Sequence, residues 1–265
     1  MPKFSANISM LFTEHPFLDR FAAAKAAGFA AVECWFPYSY SKQEIATRLA
    51  DLDLIMVGIN TEHGADGKWG IAVLPGREQE FEASLGRALE HAAAYNHCAV
   101  HVMAGLAGHL PQEEALATYH RNLEHAVRVS EGSGIQLLIE PLNRSDRPGY
   151  LLHSADQAAE LIERWALHSL RIMFDCYHVA RQEGGLLEPM RRVWPKIGHI
   201  QIAGVPTRGS PSEGTVDYAA VFDEIDRLGW AGWVGAEYIP PGATHDSLAW
   251  MRAHDANRVA VPNLS

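Results

Sequence analysis

Apolar residues recur along the chain in short, nearly continuous runs, separated by segments of helical spacing. Residues 135–140 form the clearest run, because mostly apolar side chains end in Glu140 and Pro141 follows at once. Runs of this kind are typical of strands that are buried on both faces of a parallel sheet. The pattern predicts strands at residues 4–9, 30–35, 54–60, 98–103, 135–140, 170–175, 197–203 and 231–237.

Helical segments alternate with these strands. Residues 17–27 carry apolar side chains at helical spacing and end before Gly28, a residue type that suits the position after a helix. Ser41, with Glu44 three residues later, is typical of an N-cap with a capping box. Helices are predicted at residues 17–27, 41–52, 78–95, 111–131, 154–164, part of 185–193, 217–228 and 245–252.

Strict alternation of strand and helix predicts a parallel sheet covered by helices. Eight such units in 265 residues close most economically into an α/β fold of the (β/α)8 TIM-barrel type. We expect one barrel domain over residues 1–254 and a C-terminal tail at 255–265. A doubly wound open sheet is the rival, but it favours a glycine-rich turn after the first strand, and residues 9–13 contain no glycine.

Composition narrows the functional classes. The chain is 48% hydrophobic and 20% charged, which is ordinary for a globular protein. A net charge of -10 argues against a nucleic-acid-binding surface, which needs clustered Lys and Arg. No apolar run approaches the roughly 18–20 residues of a membrane span. A small-molecule partner is therefore expected, and assembly into a homo-oligomer is left open.

The expected location is cytoplasmic. The first residues lack the basic segment and apolar run of a secretion signal. Cys34, Cys98 and Cys176 are widely spaced and form no CxxC pair, so we expect buried, reduced thiols.

Polar side chains end the last four predicted strands, at Glu140, Asp175, Gln201 and Glu237. In a parallel barrel these ends meet at one face, where barrel active sites lie. Three carboxylates at close quarters repel one another unless a cation lies between them. A set of carboxylate and amide oxygens suits Mg²⁺ or Mn²⁺. The four residues are therefore predicted to bind a divalent cation, although each alone could be an N-cap or half of an ion pair.

Two further residues follow these strand ends closely. His178 comes three residues after Asp175 and could hold a substrate oxygen, or be bonded to backbone. Arg208 comes seven residues after Gln201, on a loop rich in Gly and Pro, and could hold a substrate carboxylate by paired hydrogen bonds. An ordinary surface role for Arg208 stays open.

Candidates for contact with the substrate also occur elsewhere. Glu33 ends the second strand and could enter the barrel mouth from the opposite side, and Asp146 could reach a substrate hydroxyl. His199 shares the strand face of Gln201 but lies deeper, which favours packing. His101, on the fourth strand, fits barrel packing and the site equally well.

The sequence contains no nucleophile elbow, Walker loop or HExxH motif. What remains is carboxylate chemistry around a cation. Two glutamates, Glu140 and Glu237, on opposite sides of the cation suit removal of a proton next to a carbonyl. Returning the proton to the neighbouring carbon gives an aldose–ketose isomerisation through an enediolate, and returning it to the other face gives an epimerisation.

Several motifs together resemble the hydroxypyruvate isomerase family of the xylose-isomerase-like TIM barrels, which also includes 2-oxo-tetronate isomerases. The likeness covers nearly the whole chain. It is carried by FSANISMLF at residues 4–12, AVE at 31–33, FPY at 36–38, LPGRE at 74–78, IEPLN at 139–143, DCYH at 175–178, GHIQIA at 198–203 and GWVGAEY at 232–238.

The resemblance implies an acid–base pair, Glu140 and Glu237, within the cation-binding set named above. In related ketose epimerases the residues that match His178 and Arg208 hold the substrate. The family also implies the substrate class, short hydroxy-oxo acids, such as hydroxypyruvate converted to tartronate semialdehyde.

The chain departs from the family pattern in two loops at the expected mouth, residues 61–76 and 204–215. The first reads Thr-Glu-His-Gly-Ala-Asp after Asn60, where the family usually has Leu-Pro-Ala-Gly-Asp-Trp. The second keeps Arg208 and Pro211 but loses one glutamate of the family run and shifts another. Loops at a barrel mouth carry function, so these two are expected to choose the substrate.

Three other functions remain open from the sequence. The first is a ketose 3-epimerase acting on a neutral sugar. The second is an endonuclease acting on abasic DNA, which the charge of -10 opposes. The third is a non-catalytic barrel that binds sugar acids.

Overall fold

The structure is a computed structural model that describes residues 2–64, 69–96, 98–108 and 110–251. Within these ranges each of eight parallel strands pairs with the next in chain order, and the last pairs with the first to close a barrel. The predicted (β/α)8 fold is confirmed. The strands are β1 (Lys3–Asn7), β2 (Ala31–Glu33), β3 (Ile55–Asn60), β4 (Ala99–His101), β5 (Leu137–Ile139), β6 (Arg171–Asp175), β7 (Ile197–Ile202) and β8 (Trp233–Ala236).

Helices cover the outside of the sheet. The α-helices that lie wholly within the described residues are α1 (Arg20–Ala26), α2 (Lys42–Asp51), α3 (Glu78–Ala94), α4 (Gln112–Ser130), α5 (Ala155–Arg164), α6 (Cys176–Glu183), α7 (Leu187–Val193) and α8 (Tyr218–Arg227). Short 3-10 helices occur at Phe17–Asp19, Pro37–Ser39, Trp194–Lys196 and Thr244–Ser247. Ser41 caps α2, since its hydroxyl accepts a hydrogen bond from the Glu44 N–H.

Two predicted segments at the C-terminus are only partly described. Where a helix was predicted at residues 245–252, the structure has the 3-10 helix Thr244–Ser247 followed by α-helical residues 249–251, and residue 252 lies outside the described residues. The predicted tail at 255–265 also lies outside them.

Helix α6 was not predicted by the sequence patterning. It begins directly after the last residue of β6, because Asp175 serves as its N-cap and accepts a hydrogen bond from the Tyr177 N–H at 2.8 Å. It ends at Gly184, whose φ of 71° is in the left-handed region that glycine adopts without strain. The first turn of α6, including His178, is therefore fixed against the end of β6.

The apolar core lies between the sheet and the helices, as one continuous cluster. Cys34, Cys98 and Cys176 are free and buried, as predicted, and burial raises the pKa of each thiol. Across the described ranges, no helix combines the length and the apolarity needed to cross a bilayer.

Candidate active site

The carboxyl ends of β5 to β8 carry the four residues that the sequence singled out. Asp175 on β6 pairs with Gln201 on β7, and Gln201 pairs with Gly235, two residues before Glu237. Glu140 follows β5 directly. All four side chains belong to buried residues, so the barrel gathers three acids and an amide where little water reaches them.

Two of the acids and a histidine come within ligand distance of one another. One ligand atom from each of Glu140, Asp175 and His178 lies within 4.8 Å of the other two, a spacing that could hold a metal ion. Burial and the neighbouring carboxylates raise the pKa of Glu140 well above its ordinary value. Burial, opposed by Arg208 and reinforced by Asp175, raises the pKa of Glu237 to about 8. Burial and the neighbouring acids therefore favour the neutral, protonated forms of Glu140 and Glu237.

Arg208 lies between two of these acids. Its Nη2 is 3.2 Å from Asp175 Oδ2 and 3.1 Å from Glu237 Oε1. The residue has a φ of 58°, in the left-handed region, and its carbonyl accepts a hydrogen bond from the Ile239 N–H at 2.8 Å. The side chain is 14% exposed. The guanidinium charge is thus shared by two carboxylates of the protein itself.

Glu33 lies inside the barrel and orients Gln201. Its carboxylate accepts hydrogen bonds from Gln201 Nε2 and His199 Nε2, each at 2.7 Å, and from Asn7 and Ser5. Burial alone would raise the pKa of Glu33, but His199 and these donors lower it. Glu33 is not among the residues that line the cavity at the mouth, where the sequence analysis expected it. His199, expected to be a packing residue, holds this carboxylate.

The amide of Gln201 provides a test of whether the site suits a cation. Because Nε2 donates to Glu33, the carbonyl oxygen Oε1 points away, and it is buried without a hydrogen-bond partner. An unpartnered buried acceptor costs about 1–3 kcal/mol. That cost would be offset by a cation bound to Oε1 and the nearby carboxylates, so the donor set fits Mg²⁺ or Mn²⁺.

His178 presents a neutral ring to the site. Its Nδ1 accepts hydrogen bonds from the Asn143 N–H at 3.2 Å and from Asn143 Nδ2 at 2.8 Å. The neutral ring therefore carries its proton on Nε2, which lies 3.7 Å from Asp175 Oδ2 and 3.2 Å from Arg208 Nη1. Burial and the charge of Arg208 lower the pKa of His178 well below its ordinary value. A neutral Nε2–H is a suitable donor to an oxygen atom of a substrate.

Asp146 does not line the cavity. Its Oδ2 accepts hydrogen bonds from the Tyr177 hydroxyl at 2.6 Å and from Asn143 Nδ2 at 3.0 Å. Its Oδ1 lies 3.4 Å from Arg181 Nη2. These contacts join the loop after β5 to α6, so the position predicted to reach a substrate hydroxyl fixes a loop in this structure.

His101 lies beside the acids. It is 1% exposed, and its Nδ1 is 3.4 Å from Glu140 Oε2. Burial lowers the pKa of His101 to about 3. Of the two roles left open by the sequence, the position against Glu140 favours the site.

A small cavity of about 40 Å³ opens between these groups. Its lining includes Glu140, His178, Arg208 and Glu237, together with Trp35, Phe36, Asn60, Trp69, Met103, Leu142 and Arg147. Sequence reasoning assigned none of the last seven side chains to the site, and three of them make the contacts that follow. Trp35 Nε1 donates to Glu237 Oε1 at 2.9 Å, and the Arg147 guanidinium carbon lies 3.6 Å from the centre of the Trp69 ring. Position 35 ends a predicted strand, so the expectation that strand ends form the site could have identified Trp35. No sequence pattern relates residues 69 and 147.

The chain is similar in sequence to a known family of TIM barrels and to several named isomerases. A family model described as a xylose isomerase-like TIM barrel matches residues 21–254. A 2-oxo-tetronate isomerase of Cupriavidus necator is 42% identical over 96% of this chain and 99% of its own. The hydroxypyruvate isomerase of Escherichia coli strain K12 is 40% identical over 95% of this chain and 98% of its own.

A solved structure is also similar along almost its whole length. The crystal structure described as an AP endonuclease, family 2, from Brucella melitensis has a TM-score of 0.93 and 36% identity. It covers 96% of this chain and 99% of that one.

The position of Glu33 depends on the absence of a side chain at residue 235. A Cβ atom added to Gly235 would lie 2.6 Å from both oxygens of the Glu33 carboxylate. We expect Gly235→Ala to displace that carboxylate from His199 and Gln201. The free energy of unfolding in urea should fall by roughly 2 kcal/mol or more.

The matched control is Gly86→Ala in α3, where an added Cβ meets nothing within 4 Å. Alanine favours a helix over glycine by about 1 kcal/mol, so this variant should be as stable as the parent or more stable. Equal stability of the two variants would contradict the tight fit between Gly235 and Glu33.

Proposed function

The chain belongs to the family of xylose isomerase-like TIM barrels, and we propose that it isomerises a small hydroxy-oxo acid through an enediolate. Relatives that are 40–42% identical over nearly their full lengths carry isomerase names, so the chain is an isomerase. The proposed reaction converts hydroxypyruvate to tartronate semialdehyde, or 2-oxo-tetronate to 3-oxo-tetronate.

One observation supports this proposal above the others. Glu140 and Glu237, from the ends of β5 and β8, are both buried and both line the same small cavity. Two carboxyl groups that face one enclosed space can exchange protons with opposite parts of a molecule held between them.

The reaction needs two proton transfers at carbon. In hydroxypyruvate one glutamate takes a proton from C3, the carbon that bears the hydroxyl, and the electrons pass to the C2 carbonyl as the enediolate forms. The other glutamate gives a proton to C2. The C3 hydroxyl loses its proton to become the aldehyde, and the C2 oxygen gains one, so the formula is unchanged. The neutral ring of His178 offers an N–H to an oxygen of the substrate.

We further propose that a divalent cation, Mg²⁺ or Mn²⁺, binds at Glu140, Asp175, Gln201 and Glu237. The unpartnered Oε1 of Gln201 and the crowded carboxylates support this assignment. Such a cation polarises carbonyl and hydroxyl oxygens and stabilises the negative charge that develops on them. Asp175, besides its place among the ligands, also holds Arg208, and Glu33 orients Gln201.

The cytoplasm is the proposed location. The three cysteines are free and buried, in keeping with a compartment that keeps thiols reduced.

An epimerase of neutral sugars is a weaker candidate because two arginines, Arg147 and Arg208, line the cavity. Cationic side chains in a small enclosed space favour an anionic substrate over a neutral one.

The glutamate pair can be tested by removing each carboxylate. Glu140→Gln and Glu237→Gln should each lower kcat for hydroxypyruvate by at least about 10³-fold, because proton transfer at carbon loses its donor or acceptor. A coupled reductase that consumes tartronate semialdehyde measures the rate. Glu163→Gln, at an exposed ion pair with Lys196 on the outside of the barrel, should match the parent.

Exchange in D₂O assigns the two roles. The variant that keeps the base should still incorporate deuterium at C3 of hydroxypyruvate, and the variant that lacks it should not. Full turnover by both folded variants would refute the assignment of the pair.

Cation binding can be separated from the capping of α6. Asp175→Asn keeps a side chain that caps helices well but removes a charged ligand, so the affinity for Mn²⁺ measured by calorimetry should fall by at least about tenfold. Asp217→Asn, which changes the N-cap of α8 in the same way, should leave that affinity unchanged. No Mn²⁺ binding by the parent, with full activity after chelation, would contradict the proposed cation site.

Action on abasic DNA is the second candidate, raised by the description of the Brucella melitensis structure. The net charge of -10 opposes it, because DNA binding requires Lys and Arg that displace counterions. We expect no retention on a duplex with an abasic site at low salt and no strand cleavage with Mn²⁺ or Mg²⁺. Cleavage that depends on Glu140 would support the endonuclease instead.

A further inference from the structure

The two arginines that line the cavity differ in what neutralises them. Arg208 Nη2 contacts Asp175 and Glu237 at 3.2 and 3.1 Å. Arg147 has no carboxylate within 4.0 Å in the described ranges, and the hydrogen bond it donates goes to the uncharged carbonyl of Asp146, at 2.8 Å. Among the described residues its guanidinium therefore has no ion-pair partner.

The surroundings of Arg147 hold its side chain in a defined place. The guanidinium carbon lies 3.6 Å from the centre of the Trp69 ring, a face contact that fixes the guanidinium plane. The residue is half-buried. A face contact leaves the N–H groups at the guanidinium edge free to donate. Holding a partly buried cation without an anion is unfavourable, and a bound anion would relieve that cost.

Resting on the function proposed above, we propose that Arg147 binds the carboxylate of the substrate and thereby selects acids over neutral sugars. A guanidinium and a carboxylate match in shape and can form two parallel hydrogen bonds. With the carboxylate at Arg147, the neighbouring oxo and hydroxyl carbons extend into the cavity lined by Glu140 and Glu237.

The other donors in the cavity are less suited to this role. Arg208 would have to leave Asp175 or Glu237 to bind a second carboxylate in the same way. His178 offers a single neutral N–H, which can hold an oxygen but supplies no charge. Binding of the substrate carboxylate, which the sequence suggested for Arg208, is thus assigned to Arg147. Arg208 instead pairs with Asp175 and Glu237.

The test compares an acid with its neutral counterpart. Dihydroxyacetone has the carbons of hydroxypyruvate with CH₂OH in place of the carboxylate and undergoes the same isomerisation, to glyceraldehyde. Arg147→Ala should lower kcat/KM for hydroxypyruvate roughly 100-fold and change that for dihydroxyacetone less than about threefold. Arg147→Lys should fall between, since it keeps the charge without the paired geometry.

Arg144→Ala is the matched control. Arg144 is an exposed arginine of the same loop and does not line the cavity. Its loss should leave both substrates within about twofold of the parent. Equal losses for hydroxypyruvate and dihydroxyacetone in Arg147→Ala, or no loss for hydroxypyruvate, would overturn the proposal.

Binding measurements separate this proposal from the proposed function. D-Glycerate carries the carboxylate but has no oxo group at C2. Glyceramide has an uncharged amide in place of that carboxylate. Calorimetry should show that D-glycerate binds the parent and loses roughly 100-fold in affinity in Arg147→Ala, while glyceramide binding does not depend on Arg147. If Arg147→Ala turns over hydroxypyruvate as fast as the parent, the role proposed for Arg147 is wrong and the proposed isomerase function stands. If D-glycerate binding depends on Arg147 but the parent does not turn over hydroxypyruvate, the role of Arg147 in binding a carboxylate stands and the proposed isomerase function is wrong.

Discussion

The burial of several carboxylates at one end of a parallel barrel is the constraint on which the rest of this structure depends. Acids at strand ends are brought together by the fold whether or not they repel one another. The protein meets the repulsion with Arg208, held in a left-handed backbone conformation between Asp175 and Glu237. The repulsion is only partly relieved, because the pKa values of Glu140 and Glu237 remain raised even with Arg208 beside them.

Polar groups deeper inside the barrel support the acids and the amide at its mouth. Glu33 extends from β2 into the space that Gly235 leaves empty and is held by His199. This arrangement turns the amide of Gln201 so that its oxygen stays free. Glu33, which ends β2, thus determines how Gln201 on β7 presents its carbonyl oxygen. Preorganisation of this kind lowers the cost of binding an ion or a substrate.

The sequence predicted the barrel and the acids of the site because both follow from periodicity and from the common direction of parallel strands. All eight strands lie where apolar runs occur, and Glu140 and Asp175 lie at ligand distance as their strand ends suggested. The sequence did not predict α6, which is short and begins with no connecting residues. Nor did it predict the contact of Arg147 with Trp69, since these residues come from different loops and no spacing rule relates them.

The contact between Trp69 and Arg147 links two loops at the mouth of the barrel. The cavity it borders is small, about 40 Å³, and its lining combines aromatic rings with charged groups. Trp69 belongs to the loop after β3 and Arg147 to the loop after β5, so this contact ties two loops of the mouth to each other. A substitution in either loop would therefore change the position of a side chain contributed by the other.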